Sequence, residues 1–128
     1  MQVICKGNTG KSLKGKSLPG NTQESLFDVT VGKLYAVFAI AVYCGSTLLL
    51  LCDDNALPNW YPIDLFSIED AHVPQDWFGA MYPGNDNGLQ FLLGYEQMIT
   101  DDAHYDDLLE RSPAAIEVFR EMAATKRT

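Results

Sequence analysis

The sequence predicts an α+β fold that is mainly β, with a small β-barrel over residues 1–74 and a helical extension over residues 75–128. Short apolar runs rich in Val, Ile, Tyr and Phe follow one another with turn residues between them, which is typical of a small barrel. Capped helical segments come later in the chain. A length of 128 residues, 47% of them hydrophobic, fits one domain with a substantial core.

The barrel is predicted from short strands separated by turns. The predicted strands cover residues 2–6, 34–43, 47–52, 60–62 and 66–69. The segment 34–43 is apolar on both faces, which favours a central position in its sheet. A hairpin turn is expected at Gly45 and Ser46, and a single turn at 63–65. The Gly-, Ser- and Lys-rich segment 7–22 predicts a long, mobile basic loop.

The second part of the chain has a different character. Residues 75–88 are aromatic and rich in turn residues, and residues 89–95 are a possible strand. Asp101, or Thr100 before it, can cap a helix that runs to about Glu110. Ser112 and Pro113 then start a second helix, whose apolar stripe is formed by Ile116, Phe119 and Ala123. The sequence therefore predicts a two-helix extension after an aromatic loop.

Charge is unevenly distributed along the chain, whose 17 acidic and 9 basic side chains give a net charge of −8. Residues 1–16 carry four lysines and no acid, whereas residues 53–110 carry 13 acids and no lysine or arginine. A negatively charged surface speeds encounter with a basic partner and repels nucleic acids and anionic membranes. Two interpretations stay open: a binding surface for a basic protein, and a face that only keeps the chain in solution.

The first residues and the cysteines predict a cytoplasmic protein. Residues 1–5 lack the basic and apolar regions of a signal peptide. Three cysteines without a CxxC pair argue against a disulfide framework or a four-cysteine zinc site. The uncharged run 34–52 approaches the length of a membrane span, but the turn at Gly45 favours two strands over a helix.

Several motifs resemble catalytic or ligand-binding sites without meeting their structural requirements. Residues 10–17 match the phosphate-binding pattern GxxxxGK[ST], but Pro19 and Gly20 prevent the helix whose N-terminal amides would bind phosphate. The donors within residues 101–107 divide between two helix faces instead of converging on a metal. An Asn-Asp-Asn-Gly stretch resembles a calcium loop, but Pro83 occupies its first ligand position. We therefore predict no enzymatic activity, no cofactor and no metal site.

Carboxylates and tryptophans are the candidates for contact with a partner. Adjacent acids can pair with Lys and Arg, and a tryptophan in polar, turn-like surroundings can anchor an interface. For the tryptophans, packing in the core is the open alternative. The predicted partner-binding residues are Asp53, Asp54, Trp60, Trp77, Asp101, Asp102, Asp106 and Asp107.

The segment from Phe27 to Asp70 resembles a known fold family. Its stretches at 27–37 (FDVTVGKLYAV), 50–54 (LLCDD), 60–62 (WYP) and 65–68 (LFSI) are similar to the strands of SH3-like small barrels of bacterial and phage proteins. The resemblance implies a small SH3-like β-barrel, and some toxin-immunity proteins are similar in size, acidity and architecture. It implies no active-site residues, because the matching positions are structural and the fold serves many roles.

These observations predict an acidic binding protein that neutralises a basic protein partner. By analogy with immunity proteins, the expected partner is a nuclease toxin, inhibited by occlusion of the Lys and Arg side chains that bind phosphates. The alternative is an SH3-like accessory module of a phage or mobile element, which would bind a peptide or protein through Tyr35, Trp60 and Tyr61.

Overall fold

The computed structural model describes residues 1–13 and 25–125, and it places them in two antiparallel sheets and three α-helices. The strands are β1 (Gln2–Cys5), β2 (Leu34–Ala36), β3 (Ala39–Tyr43), β4 (Ser46–Cys52), β5 (Pro58–Pro62), β6 (Phe66–Asp70), β7 (Phe78–Met81) and β8 (Leu89–Gly94). The helices are α1 (Glu96–Thr100), α2 (Asp102–Leu109) and α3 (Pro113–Thr125), and 3₁₀ turns lie at Gly10–Ser12 and Ile63–Leu65. The predicted mainly β fold with C-terminal helices is confirmed.

The strands form one sheet in the order β2-β1-β6 and another in the order β5-β4-β3-β8-β7. Strand β3 lies at the centre of the five-stranded sheet, as its two apolar faces predict. Each sheet keeps two edge strands, whereas closure into a barrel removes edges. The strands therefore do not close into the predicted barrel.

The strand predicted over residues 34–43 is divided between the two sheets. The backbone N–H of Val37 donates to the carbonyl of Met1 beside the first sheet, whereas that of Phe38 donates to Leu50 in the second. Val37 and Phe38 are both buried, but in different apolar clusters. An unbroken apolar run carries no local sign of this change of partner, so the prediction of one continuous strand is wrong.

The five-stranded sheet separates two apolar clusters. Leu49 and Leu51 of β4 face the three-stranded sheet, and Leu50 between them faces the helices, with Phe119 of α3 in the same cluster. All three leucines have an exposed fraction of 0%. The molecule thus consists of three layers: a three-stranded sheet, a five-stranded sheet, and helices.

The uncharged run 34–52 forms strands, including the β3–β4 hairpin. Cys44 and Gly45 connect the two strands with φ angles of 50° and 77°. Two positive φ angles give a two-residue turn whose twist matches that of the flanking strands, and only a few residue types tolerate them. The hairpin is confirmed one residue earlier than predicted. No helix in the described part of the chain is both long and apolar enough to cross a bilayer.

Two short elements lie where no regular structure was predicted. Strand β7 occupies four residues within the aromatic segment 75–88, and helix α1 occupies five residues after β8. The other C-terminal elements confirm the prediction, since β8, α2 and α3 match the expected strand and two helices.

The predicted basic loop 7–22 is described as far as Leu13. Thr9 bridges to Leu26, a 3₁₀ turn follows, and the Leu13 side chain packs in the cluster between the two sheets. This first part is therefore tied to the fold. Residues 14–22, which include the second half of the GxxxxGK[ST] match, lie outside the described residues.

Candidate partner-binding surface

Helix α2 carries most of the predicted partner-binding carboxylates. Asp101 caps it, because its Oδ1 accepts a hydrogen bond of 3.1 Å from the backbone N–H of Ala103. His104 and Leu108, four residues apart, form the buried side of the helix. The exposed acids of the cap and helix are Asp101, Asp102, Asp106 and Asp107, which together are called the acidic helix face below.

Part of the charge on the acidic helix face weakens its own helix. None of its four carboxylates forms a salt bridge with another residue in the ranges 1–13 and 25–125. Asp102 and Asp106 are one turn apart, where like charges cost a few tenths of a kcal/mol. Asp106 and Asp107 also lie near the C-terminal end, where the helix dipole disfavours negative charge. These two acids are therefore not explained by the stability of α2.

Trp60 lies beside the acidic helix face. The centroid of its ring is 6.1 Å from that of Tyr105 in α2. Trp60 is half-buried against the helix-side cluster, and its indole Nε1 is buried without a hydrogen-bond partner among the described residues. Helix α2 and its cap thus carry four of the predicted contact residues, and Trp60, whose ring lies near Tyr105 of the same helix, is partly committed to the core.

Asp53 is buried, with an exposed fraction of 5%. Its Oδ2 accepts hydrogen bonds from the Tyr61 hydroxyl at 2.7 Å and from Asn59 Nδ2 at 2.6 Å. Its Oδ1 accepts from the backbone N–H groups of Asn55 at 2.9 Å and Leu57 at 3.2 Å. Both oxygens are occupied inside the chain, so Asp53 closes the β4–β5 turn and is not accessible to a partner.

The burial of Asp53 has a signal in the sequence. Side chains alternate between the two faces of a strand. Leu49 and Leu51 point into the core between the sheets, and the same period of two continues to residue 53. The strand pattern could therefore have separated Asp53 from its exposed neighbour Asp54.

Asp54 is partly exposed, but its charge is satisfied within the chain. Its carboxylate accepts hydrogen bonds from Thr30 Oγ1 at 2.6 Å, the Tyr35 hydroxyl at 2.7 Å and Lys33 Nζ at 3.0 Å. These bonds lower the pKa of Asp54 to about 2, with Thr30 contributing most, then Tyr35 and Lys33. Asp54 therefore joins the segment before β2 to the β4–β5 turn.

Trp77 lies in a different part of the molecule. It is half-buried against the cluster between the two sheets, whereas α2 packs in the cluster on the helix side. The contact residues of the alternative, SH3-like module are also largely inaccessible, because Tyr35 and Tyr61 are each only 5% exposed. Of the three aromatic residues in that alternative, only Trp60 is partly accessible.

Sequence reasoning missed the residue that connects α2 to the Asp53 network. Arg111 follows the helix with a φ of 61°, and its Nη2 donates a hydrogen bond of 2.7 Å to Asn59 Oδ1. Asn59 in turn donates to Asp53. Arg111 is the first cation after the acidic residues of segment 53–110. It is thus hydrogen-bonded to an amide and not to a carboxylate of the acidic helix face.

His104 lies beneath the acidic helix face. Its Nε2 is 2.6 Å from the hydroxyl of Tyr95, and the exposed fraction of His104 is 5%. Burial lowers its pKa, and the negative charges of Asp101 and Asp107 partly oppose that shift. When the neutral ring carries its proton on Nδ1, Nε2 accepts a hydrogen bond from the Tyr95 hydroxyl. No three His, Cys, Asp or Glu side chains of the described segments are grouped as metal ligands.

We expect the stability of the protein to fall as the pH drops below the ordinary pKa of histidine, 6.5. The folded-state pKa of His104 is depressed, so the unfolded chain binds the proton first, and stability is lost from that pH down towards the folded pKa. Urea unfolding between about pH 7.5 and about pH 5 measures the slope. His104→Gln should flatten it, because the variant lacks the buried imidazole. An unchanged slope in His104→Gln would contradict this role of His104.

The acidic helix face is the one place where several predicted contact residues lie together on an accessible surface of the described chain. The chain matches no known protein family, no curated protein and no solved structure. Burial, hydrogen bonding and charge are therefore the observations that distinguish this surface from the rest of the molecule.

Proposed function

We propose that this protein acts in the cytoplasm as an acidic inhibitor that binds a basic protein partner, and that the partner is a nuclease toxin. The observation that carries the proposal is the acidic helix face. Four exposed carboxylates are concentrated there without salt bridges to the described residues, and two of them lie at the helix end that disfavours them. Charge retained at a cost in stability favours a use outside the fold.

A nuclease offers the complementary surface. An enzyme that binds a phosphate backbone presents Lys and Arg side chains at its substrate groove. Carboxylates on a helix can pair with the same side chains, and their field speeds the encounter before contact is made. Inhibition then needs no chemistry, because a bound acidic helix covers the groove and excludes the nucleic acid.

Trp60 would supply an apolar contact, which salt does not screen as it screens the charges. A half-buried tryptophan next to Tyr105 is already partly packed, so less side-chain freedom remains to be lost on binding. Aromatic anchors of this kind sit at the centre of tight interfaces, with charges around them. The proposed contact therefore has a charged rim and an aromatic centre.

We also propose a relationship of the first strands to SH3-like small barrels. It is supported by the succession of a hairpin, a short strand, a 3₁₀ turn and a further strand over β3 to β6. The proposal concerns ancestry of the fold and adds no function, because such folds serve many roles.

Reversing the charge of the acidic helix face should slow association with the partner. For the double variant Asp102→Lys/Asp106→Lys, we expect the association rate constant at low salt to fall about 10- to 100-fold. The first candidate for the partner is the product of the neighbouring gene, which is tested by co-purification with this chain. The association rate is then measured by stopped-flow mixing across a series of salt concentrations. Circular dichroism checks that α2 still forms.

A second double variant controls for the change in net charge. Glu69→Lys/Asp86→Lys alters the total charge equally, at exposed positions in β6 and in the β7–β8 turn. It should slow association far less. Equal slowing by both variants would assign the effect to net charge alone, and unchanged rates in both would remove the acidic helix face from the interface.

A further inference from the structure

A second surface combines negative charge with an exposed apolar floor. A groove with a volume of about 500 Å³ lies between β7, the start of α1 and the C-terminal half of α3. That volume is within the range of ligand-binding clefts, which run from roughly 300 to 1,000 Å³. The side chains that define its character are Phe78, Val118 and Met122 on the floor and Asp76, Glu96 and Glu121 as carboxylates, and these six are called the acidic groove below.

The apolar side chains of the acidic groove are partly accessible. Phe78 of the edge strand β7 is 46% exposed. Val118 and Met122 are one turn apart on α3 and half-buried, with the buried Tyr95 also lining the groove. Covering apolar surface of this kind with a partner makes a favourable contribution to the free energy of binding.

The charges of the acidic groove have one sign. Its lining contains three carboxylates and no lysine or arginine among the described residues. The neighbouring cation of α3, Arg120, donates a 3.3 Å hydrogen bond to the carbonyl of Ala56 at the β4–β5 turn. Glu96 and Glu121 are exposed and form no salt bridge with the described residues.

An occupant must therefore be apolar along its length and positive at its end. Arginine and lysine side chains have this build, because an aliphatic stem covers apolar surface while the charged head reaches polar groups. The acidic helix face differs, since its carboxylates lie on an exposed helix and do not line this groove. The two surfaces are thus suited to different parts of binding.

We infer that the acidic groove binds an arginine- or lysine-bearing segment of the basic partner. The aliphatic stem packs on Phe78, Val118 and Met122, and the cation lies between Glu96 and Glu121. This inference rests on the proposed function, because it takes the partner to be basic. The acidic helix face then sets the association rate, and the desolvated contact in the acidic groove sets the dissociation rate.

The test uses the full chain and two synthetic peptides that differ only in charge. One alternates leucine and arginine, and its twin has citrulline, an uncharged isostere, at every arginine. Isotope-labelled protein is titrated and followed by NMR. We expect saturable shifts at Phe78, Val118 and Met122 with the arginine peptide, and binding about tenfold weaker with the citrulline twin.

Variants of α3 assign the binding to the groove. Glu121→Lys should weaken the arginine peptide about tenfold. Glu117→Lys is the matched control, since it makes the same change one turn earlier, at an exposed position outside the groove lining. Lysine is a good helix former, and both variants place positive charge on α3. Equal weakening by both variants, or equal binding of both peptides, would overturn the inference.

Other outcomes also decide. Shifts confined to α2 would overturn the inference, and so would concentration-dependent shifts at Phe78 without peptide, since a second copy would then fill the groove. With the natural partner, Glu121→Lys should speed dissociation about tenfold and leave low-salt association nearly unchanged. Unchanged dissociation would refute the groove while leaving the proposed function standing. Peptide binding without any complex with the neighbouring gene product would refute the proposed function alone.

Discussion

Replacing Phe119 with alanine should lower the free energy of unfolding by about 4 kcal/mol. The side chain is 1% exposed, and its ring lies 5.2 Å from that of Phe38 and 6.4 Å from that of Tyr95 in edge or tilted arrangements. The other buried positions of α3 are Ala115 and Ala123, which cannot fill the space. The substitution therefore removes the main large anchor of this helix, and urea unfolding measures the loss.

A conservative variant separates volume from helix propensity. Phe119→Leu keeps most of the apolar volume and should cost about 1 kcal/mol. Phe119→Ala is also expected to abolish peptide binding at the acidic groove, because Glu121 and Met122 are carried by the same helix. A loss under about 1 kcal/mol for Phe119→Ala would mean that α3 is held by other contacts.

Replacing Asp53 with alanine should lower the free energy of unfolding by about 3 kcal/mol. The change removes the acceptor of two side-chain and two backbone hydrogen bonds, from Tyr61, Asn59, Asn55 and Leu57. The Tyr61 hydroxyl is buried, so no water replaces the lost acceptor without opening the structure. The β4–β5 turn should loosen first, which amide exchange at residues 55–57 measures.

Two comparisons sharpen the result for Asp53. Asp53→Asn retains one acceptor oxygen and should lose less, because the Oδ1 bonds to the turn N–H groups can persist. Asp54→Ala removes a neighbouring carboxylate that is partly exposed, and its cost should be smaller because water can reach the freed Thr30 and Lys33 groups. An equal cost for Asp53→Ala and Asp54→Ala would show that burial is not what makes Asp53 important.

The sequence predicts the regular elements where the hydrophobic pattern agrees with the capping and turn residues that bound it. Helices α2 and α3 follow from Asp101 as a cap and from Pro113 after Ser112, and the β3–β4 hairpin follows from its central turn. Strand β7 could not be predicted in this way, because Gly79 and Ala80 have low strand propensity and only four residues form it. Pairing with β8 decides its conformation, and that pairing is a tertiary contact.

Helix α1 and the divided strand were missed for related reasons. A helix of five residues is too short for its periodicity to be recognised or for it to be stable in isolation. At residues 37 and 38, hydrogen bonds to Met1 and Leu50 decide which sheet each residue joins. Val37 and Phe38, whose N–H groups donate these bonds, are both apolar residues, so local sequence patterns cannot distinguish them.

The candidate surface was predictable in part. Spacing on α2 places Asp102 and Asp106 away from the buried His104 and Leu108, and that much follows from helix geometry. Which acids keep unpaired charge depends on contacts distant in sequence. Asp54 meets Thr30 and Lys33, and no charge count along the chain contains that information.

Strand β4 has a consequence for how binding is felt across the molecule. Its leucines belong alternately to both apolar clusters, so a loss of packing on one side of β4 also disturbs the contacts on the other. We therefore expect the described chain to unfold as one cooperative unit. A partner held by the helices stabilises only the folded state, so its binding energy also protects the distant three-stranded sheet against unfolding and proteolysis.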